Sequence, residues 1–456
     1  MKTKKFKNLA LYMALSASWM ACNKSEDVNI SQPEYNVGEE ITSDTLSGAV
    51  KGTMKSGRTY FFKADITVNA GDTLLMQSGS KLVAIGDGLT PATSPMVIVN
   101  GAFFSLGTKE NPNYIGVEES KRSYENAFKG YWGGIAYGPT SGDAVIKWTL
   151  LEHAGGPAGP NTNPLLYDEG DPRYTITYSN INGNFVLEDS WIRYSKDDGM
   201  RVEGGGKVNI MRNTFECNGE TGGEAINIKS GTVGNIAYNM IIGACTNGIK
   251  HSNNNGATSI QTNIKFYNNT IINGGARKVQ AGRGGSMNIE QGAKGEYYNN
   301  LVVNCRFGLR VVRDADTANT KYDNNFYYGS TDLIVGQFNA TAGVGKKAPN
   351  DVQGAAKENN PRFVLFDVDK TPDFAAAPFD KFPTSFSDQF QLMNTVGNSD
   401  FRLSSASPCI GKGKTDFEPF NNINITTEAL KPTVTRPGRD AGAFQSDGSG
   451  NQHLIK

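Results

Sequence analysis

The sequence predicts an all-β protein wound as a coil of short parallel strands, and three observations carry that prediction. The first is composition: 53 Gly and 45 Asn in 456 residues, with only 20% charged residues, make a turn-dense chain unlike a helical bundle. The second is a repeat. Asp189, Asn213, Asn239, Asn269, Asn300 and Asn325 occupy the same place in similar short stretches, at separations of 24, 26, 30, 31 and 25 residues. The third is a Gly-led alternating strand after each of the first five stretches, from Gly199-Met200-Arg201-Val202 to Gly308-Leu309-Arg310-Val311. Aromatic residues at 10% and frequent Val/Ile runs supply a core, which excludes disorder. The 45 basic and 45 acidic residues cancel, so the chain lacks the basic field of a nucleic-acid binder.

At the N-terminus, Lys2, Lys4, Lys5 and Lys7 precede an apolar stretch from Leu9 to Ala17 that is too short to span a bilayer. Residues 1–21 therefore read as a secretory signal. Ala21 before Cys22 resembles the cleavage site of bacterial lipoproteins, with departures at Trp19 and Met20. That resemblance implies an acylated Cys22 that anchors the chain in outer-membrane lipid. Cys22-Asn23-Lys24-Ser25-Glu26-Asp27 is similar to the Lys-plus-acidic signal of Bacteroidota-type surface lipoproteins, which implies display on the cell exterior. Loss of the signal removes four Lys and no acid, leaving a mature charge of 41 − 45 = −4. Residues 22–45 are polar and aperiodic, as suits a flexible tether.

Residues 46–145 form the N-terminal cap and first rungs, and 146–340 the central rungs. Pro157–Arg173 is a Gly/Pro loop leaving the stack. In 341–400 the rhythm breaks at Pro349, Pro361, Pro372, Pro378 and Pro383, which predicts an irregular insertion packing on the coil. Residues 401–456 are the closing segment and tail. Cys217, Cys245, Cys305 and Cys409 show no CxxC or Cys/His spacing, and each lies by an apolar run, so buried free thiols are expected.

Rungs of 24–31 residues without helical periodicity suit strands stacked ~4.8 Å apart, with equivalent residues in columns. An Asn at one bend of every rung can then bond its neighbours above and below inside the stack. Leucine-rich repeats lack a consensus here, and propeller blades need longer units. Ile66-Thr67-Val68-Asn69-Ala70-Gly71-Asp72-Thr73-Leu74, Tyr131-Trp132-Gly133-Gly134-Ile135 and the ending from Arg436 to Phe444 resemble right-handed, single-stranded parallel β-helix proteins of the pectate-lyase-like type. The resemblance covers roughly residues 46–445. It implies the fold and leaves activity open, because such helices serve lyases, hydrolases, binders and adhesins.

In the Gly-led strands the residues between core positions point outward. Arg201, Asn227, Lys250, Asn288 and Arg310 form one column, and Glu203, Lys229, Ser252 and Glu290 its neighbour, with Asp197, Asp198, Arg283, Arg306 and Arg313 in adjoining turns. Such a stripe of donors suits an extended ligand bearing hydroxyls and anions, which guanidinium groups clamp bidentately. A solvated sheet face is the plain alternative. The expected ligand is a glycan, held by Arg201, Glu203, Lys250, Glu290, Arg310 and Arg313. An outer-membrane transporter complex is a second partner this reading allows.

Asp197-Asp198-Gly199 resembles the acidic pair of polygalacturonase-type hydrolases, with Glu203 or Glu224 near enough in the stack to complete a carboxylate set. The His and Arg-x-Lys signatures that accompany that pair do not follow it, and Asp-Asp-Gly also serves as a tight turn with Gly at φ > 0. A polysaccharide lyase would need a cation, often Ca²⁺, to neutralise a uronate, and an Arg, Lys or His base such as Arg201, Lys250 or Arg310. No acidic cluster has calcium-loop spacing, so no cofactor is expected outside the lyase alternative. His153 and His251 fall at core positions, and His453 in the tail. An adhesin or structural protein without a small ligand is the remaining alternative.

Overall fold

The computed structural model describes residues 35–453 except 36, 161, 163–166, 254–259, 279, 281, 313, 341 and 371–398. The signal, Cys22, most of the tether, much of the insertion and Arg313 lie outside the described residues. Strands dominate, in a 10-stranded and a 20-stranded sheet whose neighbours are parallel throughout, with a separate two-stranded antiparallel pair at Phe363–Leu365 and Asp400–Leu403. The larger sheet is two ladders joined by the long strand Thr59–Val68. Its first part pairs with Lys81–Ala84 and its last part with Val97–Val99. The chain is thus a parallel β-helix with three faces, and each full rung contributes one strand to each.

One rung shows the pattern. Gly206–Met211 lies on the first face, Thr214–Glu216 on the second, and Ile226–Ile228 on the third. Each pairs with its counterpart one rung on: Thr232–Ala237, Met240–Ile242 and Asn247–Ser252. Period-two alternation sends Val208 and Ile210, Phe215, and Ile226 and Ile228 inward, where they are fully buried in one continuous core. Removing such a side chain leaves a void between rungs and costs about 2–5 kcal/mol.

From the rung of Ala144–Lys147 to that of Lys321–Asp323, the bend between the first and second faces takes a left-handed residue. Trp148, Asp189, Arg212, Tyr238, Asn268, Asn299 and Asn324 supply it, at φ between 46° and 60°. The next residue begins the internal ladder. Asn213, Asn239, Asn269 and Asn300 each donate from Nδ2 to Oδ1 of the Asn one rung on, at 2.9–3.0 Å, ending at Asn325. Each Oδ1 also accepts a main-chain N–H, as Asn269 Oδ1 does from Asn239 at 2.9 Å. Beyond Asn325 a carboxylate closes the column: Asp351 Oδ1 accepts the Asn325 N–H at 2.8 Å. Burial pushes Asp351 up to about 6 against the pull of those N–H bonds.

Asp189 is not the first member of this ladder. Glu188 aligns with Met211 and Trp191 with Thr214, so Asp189 faces Arg212, and Ser190 takes the ladder position. Asp189 instead bonds Arg212 Nε and Nη2 at 2.9 and 3.0 Å, while the Ser190 N–H donates to Asn213 Oδ1 at 3.0 Å.

The C-terminal segment runs back along the sides of the helix. Phe420 and Asn235 exchange two hydrogen bonds, Lys147 Nζ donates to Lys431 O at 2.6 Å, and Thr433 N–H donates to Glu188 at 2.7 Å. Ile425 and Leu430 pack on Phe104, Val145 and Val186 of the first face. Phe363, Val368, Phe401 and Phe444 cover the outward apolar residues of the second face, from Met240 to Tyr328. Within the expected insertion, Val352–Gln353 still adds a strand to the second face. The four described cysteines are buried and free. Among the described residues no helix is long and apolar enough to cross a membrane.

Candidate functional site

The first and second faces are covered by the chain's own C-terminal part, and the third is bordered by loops. Its outward column runs in register through Ile98, Ala136, Thr177, Arg201, Asn227, Lys250, Asn288 and Arg310. The five polar members expected from the sequence therefore stand on consecutive rungs. The wall beside them is latched across rungs: Lys278 Nζ donates to Thr221 O at 2.8 Å, and Arg277 Nη2 to Asn218 O at 3.0 Å. Arg306 belongs to the same wall, bonding Gln280 O at 3.1 Å, whereas Arg283 is exposed.

Each cation of the column also holds an internal partner. Arg201 donates to Tyr174 Oη at 2.6 Å and pairs with Glu203 at 2.5 Å. Burial disfavours its charge, but Tyr174 and Glu203 keep it firmly a cation. Lys250 pairs with Glu290 at 3.0 Å, and Asn288 Nδ2 donates to the other oxygen of that carboxylate at 2.8 Å. Against the upward push of burial, Lys250 and Asn288 hold Glu290 below the usual carboxylate range. Arg310 donates to Gly282 O at 2.9 Å and lies over the Phe307 ring. Buried polar atoms without a hydrogen-bond partner remain along the floor: Arg201 Nε, Asn227 Oδ1, Ser252 Oγ and Arg310 Nε. In the neighbouring column, burial and then Lys250 and Arg201 pull Lys229 down to about 8.

Three carboxylates meet at the head of this polar stretch. Asp198 is 2% exposed; its Oδ1 accepts the Glu224 N–H at 2.8 Å and its Oδ2 accepts Asn227 Nδ2 at 2.7 Å. Asp197 is half-buried, and burial followed by the charge of Glu224 pushes it up to about 7. Burial and then Asp198 raise Glu224 to about 7 as well. The set can therefore keep a proton near neutrality and give it up to a neighbouring group. Glu203, a candidate for this set, is engaged with Arg201. Gly199 does not take positive φ; it is required by a close approach, since a Cβ there would lie 2.7 Å from Ala225 O. The Asp-Asp-Gly turn thus braces one rung against the next. Among the described residues no group of three or more His, Cys, Asp or Glu is placed to hold a metal ion.

The histidines are structural in their contacts. His251 Nδ1 bonds Tyr297 Oη at 2.5 Å, and burial holds the ring down at about 3. His153 Nδ1 lies 3.1 Å from Asn126 O, with its pKa pulled down to about 4 by burial. His453 reaches Thr214 Oγ1 at 3.3 Å.

Sequence reasoning missed the other end of the third face. A cavity of about 500 Å³ opens there over Ile98, Ala136 and Thr177, with Met96, Tyr167 and Arg173 in its lining. Of the loop Pro157–Arg173, the described residues Gly159, Pro160, Thr162, Tyr167 and Arg173 wall this cavity. Tyr174, next to that loop, is the residue that receives Arg201. The available signal was the small, apolar continuation of the column, Ala136 and Ile98, where the polar stripe stops. No protein-family model matches the chain, and no curated protein matches it.

Proposed function

We propose that the third face holds an extended ligand, a polysaccharide, along its outward column. The observation that carries this reading is the run of buried polar atoms without partners on the one face that the C-terminal segment leaves to its loops. Such atoms cost about 1–3 kcal/mol each when left unmade, and a ligand rich in hydroxyls supplies both donors and acceptors. From Arg201 to Arg310 the column spans four steps of ~4.8 Å, or about 19 Å, the length of several sugar units.

The finer assignment is a pectate-lyase-like β-helix carried on the surface of a Bacteroidota-type cell by an acylated Cys22. Support for it comes from the lipoprotein-like start and the rung motifs between Ile66 and Ile135. Cys22→Ala should release the protein from membranes; retention of that variant would end the anchor assignment.

Retention on immobilised neutral, uronate-bearing and sulfated glycans tests the binding reading. Affinity should grow with oligosaccharide length and weaken with salt on charged glycans. A folded Arg201/Lys250/Arg310 to Ala variant should lose retention, and equal retention by that variant would overturn the assignment. A catalytic reading, lyase or hydrolase, is favoured by one observation: Asp197 and Glu224 both sit near 7 beside the column. It requires new reducing or unsaturated chain ends, lost in Asp197→Asn or Glu224→Gln. An adhesin without a small ligand would give neither retention nor new ends on any glycan.

A further inference from the structure

We propose that the cavity above the polar stripe is a separate binding site for a carboxylate, with Arg173 as its anion clamp. This inference does not rest on the polysaccharide reading. Arg173 is 2% exposed, and no carboxylate among the described residues lies within ion-pair distance of it. Its Nε donates to Gly156 O at 2.9 Å and its Nη2 to Ser94 O at 2.5 Å. Two of five guanidinium N–H groups are thereby used. Against the cost of burial, the Asp65 carboxylate favours the Arg173 charge from a distance without an ion pair. A buried guanidinium bonded to two carbonyls thus still lacks a direct counter-ion, which a ligand anion would supply. The fold makes room for the group: a Cβ on Gly133 would stand 2.3 Å from Arg173 Cζ.

The rest of the lining defines the ligand. Pro91, Ala92, Met96, Ile98, Ala136 and Pro160 give mainly apolar walls, and Tyr167 adds an aromatic side. The volume of about 500 Å³ lies within the ~300–1,000 Å³ usual for small-molecule sites. Besides Tyr167 and the buried Tyr137, the other ionisable lining group is Asp65, an exposed rim residue whose Oδ1 already accepts the Met96 N–H at 2.9 Å. One buried guanidinium facing apolar walls, with an acid at the rim, suits a monoanion. A carboxylate matches the planar guanidinium bidentately. A phosphate dianion would meet one cation and one repelling acid.

Calorimetric titration of the whole protein with three acids tests this: cyclohexanecarboxylate, benzoate and glucuronate, each beside its neutral primary amide. At least one acid should bind tenfold or more tightly than its amide. Preference for glucuronate would identify the source as an acidic sugar, and preference for either of the others as a free organic acid. Arg173→Lys should weaken binding tenfold or more. Because Arg173 also holds Ser94 and Gly156, Ala136→Phe serves as the second variant; it fills the cavity from a half-exposed wall position and should abolish binding. Three results would overturn the site: no acid of the set binding, amides binding as tightly as acids, or Ala136→Phe binding like the wild type.

Discussion

Two columns of polar residues climb the same β-helix and are built on opposite plans. At the bend between the first and second faces, Asn213, Asn239, Asn269, Asn300 and Asn325 repeat one residue type, fully buried, each amide bonded to the next. On the third face, Arg201, Asn227, Lys250, Asn288 and Arg310 change at every rung and find partners sideways: Tyr174, Asp198, Glu290, Gly282. An amide carries donor and acceptor in one group, so identical copies stacked ~4.8 Å apart satisfy each other. Cations cannot do that; stacked like charges repel, so Asn alternates with Arg and Lys, and part of each group's bonding capacity stays unmet. Repetition marks a column that serves the fold, and variation marks one able to serve a ligand.

The largest expected effect lies in the ladder. Asn269 bonds Asn300 and Ile236 through Nδ2, and its Oδ1 takes both the N–H and the Nδ2 of Asn239. Asn269→Leu would leave these buried partners unmatched, and at about 1–3 kcal/mol per unsatisfied group the loss should be about 3 kcal/mol or more. Urea denaturation measures it. A loss below about 1 kcal/mol would mean that the column is incidental to stability.

Much of this contrast was legible in the sequence, for a physical reason. The ladder demands the same residue at the same bend, and such repetition survives in one dimension. The outward column was legible too, since Gly-led strands with period-two alternation fix which residues face out. The off-by-one placement of Asp189 came from the left-handed residue preceding each ladder position: an Asp can fill that bend, and at Ser190 the ladder itself departs from Asn. What the sequence hid was lateral. The bond from Arg201 to Tyr174, and the cavity around Arg173, depend on a loop that leaves the stack and returns. No periodicity records where a loop such as Pro157–Arg173 comes back.

A middle-sized effect is expected from pH. Burial raises Asp197, Glu216 and Glu224 to about 7 in the folded protein, from the ~4 of an unfolded chain. A carboxylate with a raised folded pKa stabilises fully below its unfolded value, and that stability is lost as pH rises toward the folded value. His153 and His251, pulled down to about 4 and 3, act in the opposite sense below about pH 6.5. Comparison of Asp197→Asn with the wild type removes the histidine contribution. The variant should gain on the wild type by up to about 1.4 kcal/mol per pH unit between pH 5 and 7, then run parallel to it. A constant difference across that range would show that Asp197 ionises normally, and the third-face acids would lose their special standing.

The smallest expected effect sets one substitution in both columns. Asn288 is 6% exposed, nearly as buried as a ladder Asn, and its Nδ2 donates to Glu290. In Asn288→Ala that carboxylate keeps Lys250 at 3.0 Å, so no charge is stranded. The loss should stay near or below about 1 kcal/mol, the net worth of one hydrogen bond. Asn300→Ala strips a residue whose Oδ1 accepts from both the Asn269 N–H and Nδ2 and whose own Nδ2 reaches Asn325 and Phe266. It should cost at least twice as much. Denaturation of the two variants side by side gives the ratio without reference to any ligand. Equal losses would make the third-face column as structural as the ladder, and its polar atoms would then need no ligand to account for them.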